Sequence, residues 1–382
     1  MPDPNAPTFA MVAGEASGDM LAGLLLKGMR HRWPTAKAQG IGGPRMAEQG
    51  FEAWWPHERL AVRGYVEVLR HYRGIVAIRR QLFERLKADP PSVFVGVDAP
   101  DFNLDLERQL LSIGVPTVHF VCPSVWAWRA NRLEKIRHSV RHMLCLFPFE
   151  PALLSAHGIA STYVGHPFAA TIPMQSDKAA ARQRLDLPVQ TRVVSLMPGS
   201  RASEVDQLAP IFLQAAAWLQ KREPDLHFVL PTFTALRPRL QACINRWGGG
   251  IHLTVTEAGS HGALAACDVS LVASGTATLE AALFKRPMVI AYRMNPLSWQ
   301  IMRRQKLQPW VGLPNILAAE FLVPEFLQDQ ATPEALGQAV LDWLNQAQRV
   351  AQLQQRFVDM HHSLLRDTAQ LATDAIEQTM AR

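Results

Sequence analysis

The stretch VGVDAPDFN, residues 95–103, decides how the rest of the chain is read. Val93, Phe94, Val95 and Val97 are β-branched or aromatic residues suited to a buried strand. Pro100 ends that strand, because proline cannot donate to a sheet interior. Asp98 and Asp101 are left at its carboxyl end. Such a pair can bind a metal, take a proton, or cap the helix that follows.

The pattern around this stretch recurs: an apolar strand, a turn of small residues, an amphipathic helix. Strands are expected at 9–13, 38–41, 93–97, 117–121 and 143–147, and again at 193–197, 227–230, 252–255, 269–272 and 288–291. Helices are expected between them at 18–30, 103–112, 204–221, 262–267 and 276–285. Alternating β and α segments imply parallel sheets covered on both faces. Two such series imply two Rossmann-like domains, joined near GHPFAATIPMQS at 165–176, as a chain of 382 residues also favours. Ligands of this architecture bind at the carboxyl ends of strands, here in a cleft between domains. The expected division is 1–170, 171–345 and a helical tail, 346–382, that crosses back to an N-terminal domain.

Bulk properties narrow the function. Apolar residues make up 48% of the chain, which argues against wholesale disorder. The start, MPDPNAPTFAMVAGE, lacks the basic and apolar regions of a secretory signal, and no apolar run of about 18 residues suggests a transmembrane helix. Cys122, Cys145, Cys243 and Cys267 have no ligand-like spacing and read as buried free thiols of a reducing cytoplasm. A net charge of +6 points to an anionic partner without naming it. Residues 63–87 hold seven Arg or Lys against two Glu, and 126–141 repeat the theme behind two tryptophans.

The strand-end loops carry polar residues. In AGEASGD, 13–19, Gly14 and Gly18 let backbone approach a ligand, while Glu15, Ser17 and Asp19 offer contacts. A helix cap by Ser17 or Asp19 accounts for part of it and leaves Glu15 unexplained. In PGSRASEV, 198–205, Ser200, Arg201 and a helix start can form an anion site, or the segment is a plain capped helix with Glu204 in its first turn. In ASGTATLE, 273–280, the amides at 274–276 can cradle a diphosphate, and Glu280 is either a ribose-diol acceptor or part of a solvated helix face. GGPRM, 42–46, exposes Arg45 on a turn, and in LPNIL, 313–317, Asn315 follows a proline and need be no more than a helix cap.

Taken together and in order, AGEASGD, GGPRM, GVDAPDFN, PSVWAWR, GHPF, LMPGSRASEV, ASGTATLE, YRM and LPNIL resemble the lipid-A-disaccharide synthases over residues 8–345. The resemblance implies an inverting glycosyltransferase of the GT-B fold, with two Rossmann-like domains facing a central cleft. It implies transfer of 2,3-diacylglucosamine from its UDP derivative to 2,3-diacylglucosamine 1-phosphate, giving a β-1,6-linked disaccharide and UDP. It implies no metal and no cofactor. The acceptor and base belong to the N-terminal half, and UDP to the C-terminal half.

An inverting transfer needs a base for the attacking hydroxyl and positive groups for the leaving diphosphate. The aspartates here are spaced DxxD around a proline rather than DxD, with no third acid or His adjacent, which makes a metal pair the poorer fit. Asp98, at the strand tip, suits the general base, and Asp101 reads as the N-cap of the next helix. By resemblance Arg201, Ser274, Gly275 and Thr276 hold the diphosphate and Glu280 the ribose. Glu15, Ser17, Arg45 and Asn315 would be further substrate contacts.

Lipid substrates also suggest a cytoplasmic protein lying on the anionic inner-membrane surface, alone or as a homodimer. Val66, Leu69 and Ile75, set among arginines, are the expected membrane-facing residues, against the reading of an ordinary helix packed on its sheet. Two rivals are weaker. A nucleic-acid-binding protein would show lysine-rich tails or RNP-like aromatics, which the chain lacks. A UDP-N-acetylglucosamine 2-epimerase would place additional acids and a His around the sugar.

Overall fold

A computed structural model of the chain describes residues 6–60, 65–128, 131–257 and 259–381, without the side chains of 65–72, 296–298 and 301. It divides into two compact units: residues 1–167 with 364–382, and residues 168–363.

The first unit is built on seven parallel strands: β1 (Thr8–Ala13), β2 (Lys37–Gly42), β3 (Glu52–Pro56), β4 (Val93–Val97), β5 (Thr117–Phe120), β6 (His142–Cys145) and β7 (Ser161–Tyr163). Their order is β3-β2-β1-β4-β5-β6-β7, so the winding direction reverses between β1 and β4. Register places Val12 beside Ile41 and Ala13 beside Val97, which brings the loops after β1, β2 and β4 out on one rim. Both faces of the sheet are covered, which is why β1 beyond Thr8 and β4 carry no polar side chain. Phe9 and Met11 pack with Leu21, Leu25 and Leu26 of the Ala16–Arg32 helix and with Ala372 and Ile376 of the Thr368–Met380 helix. Ala10 and Val12 pack on the other face with Leu82, Leu86, Phe102 and Leu106.

One expectation fails on this second face. Ile75, read as membrane-facing, packs with Ile78 and Phe83 against that cluster. The Tyr65–Ala88 helix turns its apolar stripe to the sheet, while Arg79 pairs with Asp105 at 2.9 Å and Arg85 stacks on Trp54. The side chains of Val66 and Leu69 lie outside the described residues.

The second unit holds β8 (Val193–Met197), β9 (His227–Pro231), β10 (Leu253–Thr256), β11 (Val269–Ala273), β12 (Met288–Tyr292) and β13 (Glu325–Leu327). The order β10-β9-β8-β11-β12-β13 again reverses at one place, between β8 and β11, with Met197 beside Val272. The strands that the sequence pattern does not announce are β3, β7 and β13, all at sheet edges. Where the chain enters and leaves this unit, buried Lys285 donates to His361 Nδ1 at 2.6 Å and His361 Nε2 donates to the Ala169 carbonyl at 2.7 Å. The Pro333–Asn345 helix belongs to this unit, and the expected tail comprises Ala347–Leu364 and Thr368–Met380. Its last helix belongs to the first unit, where Asp374 and Glu377 pair with Arg32.

Candidate active site

The rim of the first unit begins at Gly14, where a Cβ would come within 2.7 Å of the Ala99 Cβ. The loops after β1 and β4 therefore touch. Glu15 stands at the head of the Ala16–Arg32 helix, exposed and without a capping hydrogen bond, and Ser17 is exposed beside it. Neither Ser17 nor Asp19 caps that helix. Asp19 is buried and turned sideways, accepting from the backbone amides of Gly43 at 2.9 Å, Arg45 at 2.9 Å and Met46 at 3.1 Å. It caps the next turn of chain, Pro44–Ala47, and so fixes where Arg45 emerges. Arg45 itself is exposed, 3.3 Å from Glu48.

Asp98 follows β4 in a left-handed conformation, φ 52°, and Ala99 repeats it at 44°. Two consecutive non-glycine residues there cost about 1–3 kcal/mol each, a strain typical of functional sites. The Asp98 amide donates to the Phe120 carbonyl at 2.9 Å, while its half-buried carboxylate has no hydrogen-bond partner among the described residues. The helix begins at Pro100, with Ala99 as N-cap. Asp101 is thus not the cap expected of it, because proline's fixed φ suits the first helical position and moves the start one residue earlier. Its exposed carboxylate instead meets Arg132 at 2.6 Å.

Three buried residues under this turn are not singled out by the motifs. Asn103 Nδ2 donates to the Asp98 carbonyl at 2.8 Å. Glu107, one turn further along the helix, lies 2.7 Å from His119 Nδ1 on β5. All three side chains are fully buried. Burial pushes the Glu107 carboxyl up, with His119 opposing the shift. Two polar residues four apart on a helix face otherwise formed by Phe102, Leu106 and Leu110 were the available signal.

In the second unit the loop after β8 turns at Gly199, φ 118°. Glu204 then reaches back: one carboxylate oxygen accepts from the amides of Ser200 at 3.0 Å and Arg201 at 3.3 Å, the other from the Arg201 guanidinium at 3.0 Å. Two amides of the expected anion site, those of Ser200 and Arg201, are already held by the chain's own carboxylate. What stays exposed is the Arg201 side chain, at 72%. Beside it, at the end of β12, burial raises the Tyr292 phenol, Glu204 adding and Arg201 opposing.

After β11, Gly275 with φ 148° opens the Thr276–Leu283 helix. Gly275 and Thr276 are exposed, and first-turn amides have no acceptor within a helix. Ser274 Oγ donates to the Val311 carbonyl at 2.8 Å. Glu280 does not lie on a solvated face: it is 8% exposed and accepts from Ser260 Oγ at 2.6 Å, with His261 Nε2 at 3.3 Å. Asn315 is neither a cap nor an open contact. It is fully buried, donating to the Val323 carbonyl and Glu325 and accepting from the amides of Leu322 and Val323. Those four bonds use its hydrogen-bonding capacity. Glu325 in turn holds the Val311 and Gly312 amides at 2.9 Å, so Asn315 shapes the segment under Ser274 from within. A hollow of about 510 Å³ lined by Arg192, His227 and His252 opens at the opposite rim, the amino ends of β8 and β9, away from these loops. Among the described residues no group of three or more His, Cys, Asp or Glu is placed to hold a metal ion.

The sequence model of the family described as Lipid-A-disaccharide synthetase matches residues 9–380. A lipid-A-disaccharide synthase of Albidiferax ferrireducens is 58% identical over 376 residues, covering 97% of each chain. The chain belongs to the lipid-A-disaccharide synthetase family. As a member of that family it is a glycosyltransferase of lipid A biosynthesis. Its fold is GT-B. The glycotransferase of kitacinnamycin superposes with a TM-score of 0.60 at 17% identity, over 99% of this chain and 100% of that one. The UDP-GlcNAc 2-epimerase of Neisseria meningitidis, bound to UDP-GlcNAc, gives 0.64 at 12%, over 98% and 99%. Likeness at such identities is one of fold, and it spans transferase and epimerase alike. The choice between them comes from membership of the lipid-A-disaccharide synthetase family. Among the described residues no helix is long and apolar enough to cross a membrane.

Proposed function

We propose that the protein transfers 2,3-diacylglucosamine from UDP-2,3-diacylglucosamine to 2,3-diacylglucosamine 1-phosphate with inversion at the anomeric carbon. The observation that carries this reading is Asp98: a half-buried carboxylate on a strained backbone, without a partner among the described residues, at the switch point of a doubly wound sheet. Asp98 takes the proton of the acceptor 6-hydroxyl as that oxygen bonds to the donor's anomeric carbon. The carbon–oxygen bond to UDP breaks, and the electron pair leaves on the diphosphate. Glu15, Ser17 and Arg45, on the same rim, orient the acceptor, with Arg45 suited to its 1-phosphate. In the second unit Arg201 and the exposed amides at Gly275 and Thr276 take the charge of the leaving group, and Glu280 exchanges its Ser260 contact for the ribose diol. Asn315 supports that site without touching substrate.

The chain is further proposed to meet an anionic lipid surface from the cytoplasmic side, through exposed cations such as Arg73, Arg80 and Lys87 rather than through Ile75. Incubation with the two lipid substrates, with and without EDTA, tests the reaction. A β-linked disaccharide and stoichiometric UDP in both samples are expected. No disaccharide, or a product formed only when a divalent cation is restored, would sink the reading.

A further inference from the structure

The left-handed turn at Asp98 needs something to hold it, and the side chain that does so lies inside the unit. Asn103 Nδ2 donates to the Asp98 carbonyl at 2.8 Å, with longer contacts to Val12 at 3.4 Å and Val97 at 3.5 Å. One amide group thereby gathers the carbonyls at the carboxyl ends of β1 and β4. Behind it stand Glu107 and His119, paired at 2.7 Å and with 0% side-chain exposure. The backbone makes room for them at Gly96, where a Cβ would fall 2.9 Å from the Asn103 Cβ and closer still to Glu107 Oε1.

As a packing device this cluster is a poor choice. Asn103 Oδ1, Glu107 Oε2 and His119 Nε2 are buried without a hydrogen-bond partner among the described residues. Buried polar atoms left unpaired destabilise a fold, and leucine would fill the same layer at less cost. The feature that the cluster serves is two residues from Gly96. We infer that Asn103, held in place by the Glu107–His119 pair, is a positioning residue for Asp98: it locks the strand-end turn so that the carboxylate is presented in one orientation. This rests on the reading of Asp98 as the base. Orientation of a catalytic group is worth large rate factors, and a misplacement of about 1 Å costs on the order of a hundredfold.

The full-length chain tests it. Asn103→Ala is expected to lower kcat about ten- to a hundredfold while the affinity for UDP changes by less than about twofold. Made in an Asp98→Asn background, the same substitution should change the residual turnover by less than about twofold, because it has nothing left to position. Glu107→Gln keeps the shape and a hydrogen bond to His119, guards against a variant that fails to fold, and should lower kcat severalfold with a cooperative melt retained. Parental kcat in either folded variant overturns the inference, and so does a loss of equal size in both backgrounds. A dead Asp98→Asn beside a fully active Asn103→Ala removes the positioning role alone. Parental turnover in Asp98→Asn removes the base assignment and the positioning role with it.

Discussion

The two units repeat one topology and dress its switch point in opposite ways. At β1/β4 the loops present carboxylates: Glu15 and Asp98 stay open, while Asp19 is withdrawn to cap a neighbouring turn. At β8/β11 the carboxylates are withdrawn instead. Glu204 folds onto its own loop and Glu280 onto Ser260, which leaves Arg201 and a bare helix start outward. The winding decides where a ligand can sit. The few residues after each strand decide whether it meets a proton acceptor or a positive charge.

That contrast can be broken at three strengths. The strongest test removes the acceptor from the first rim. Asp98→Asn keeps shape and hydrogen bonding, so turnover should fall about a hundredfold or more with UDP affinity and melting temperature close to parental. Next comes the charge on the second rim. Arg201→Ala should lower turnover about ten- to a thousandfold through lost charge-assisted contacts to the diphosphate. Because its guanidinium is exposed and, among the described residues, paired only to Glu204, the melting temperature should hardly move. The mildest change is Asp101→Asn, which touches an exposed pair with Arg132. Turnover should stay within about twofold, and denaturant titration should show a loss of at most about 1 kcal/mol. A dead, well-folded Asp101→Asn would mean that the two aspartates have been assigned the wrong way round.

The parts of this fold that could be read from sequence are those set by local pattern. Val93–Val97 and Val193–Met197 are buried on both faces, so they appear as mainly apolar runs, with Gly96 and Ser195 as the exceptions, that Pro100 and Pro198 then end. Strands β3, β7 and β13 lie at edges, where partial burial asks for no such run, and EAWWP, STY and EFL do not stand out. The rims were harder. Asp19 and Glu204 are both acids in the first turn of a helix, yet one reaches across to a different loop and the other back along its own. Only the tertiary path separates them. Asn315 looked like a cap after a proline, but the groups that consume it arrive from 322–325. The Asn103–Glu107–His119 cluster joins a helix to a strand beyond it, and no motif window contains the whole of it.

The Thr368–Met380 helix has a consequence for how the protein is made. Ala372, Ala375 and Ile376 fill the same apolar layer as Phe9 and Met11, so the unit that begins at the amino terminus has a hole in its core until the last residues arrive. The second unit is continuous from 168 to 363 and has no such debt. During synthesis, where domains generally fold in the order they emerge, the segment holding Ala372, Ala375 and Ile376 must leave the ribosome before the earliest strands can complete their packing. Of the two units, the one whose strands come first in the chain is the one whose core waits for residues beyond the other.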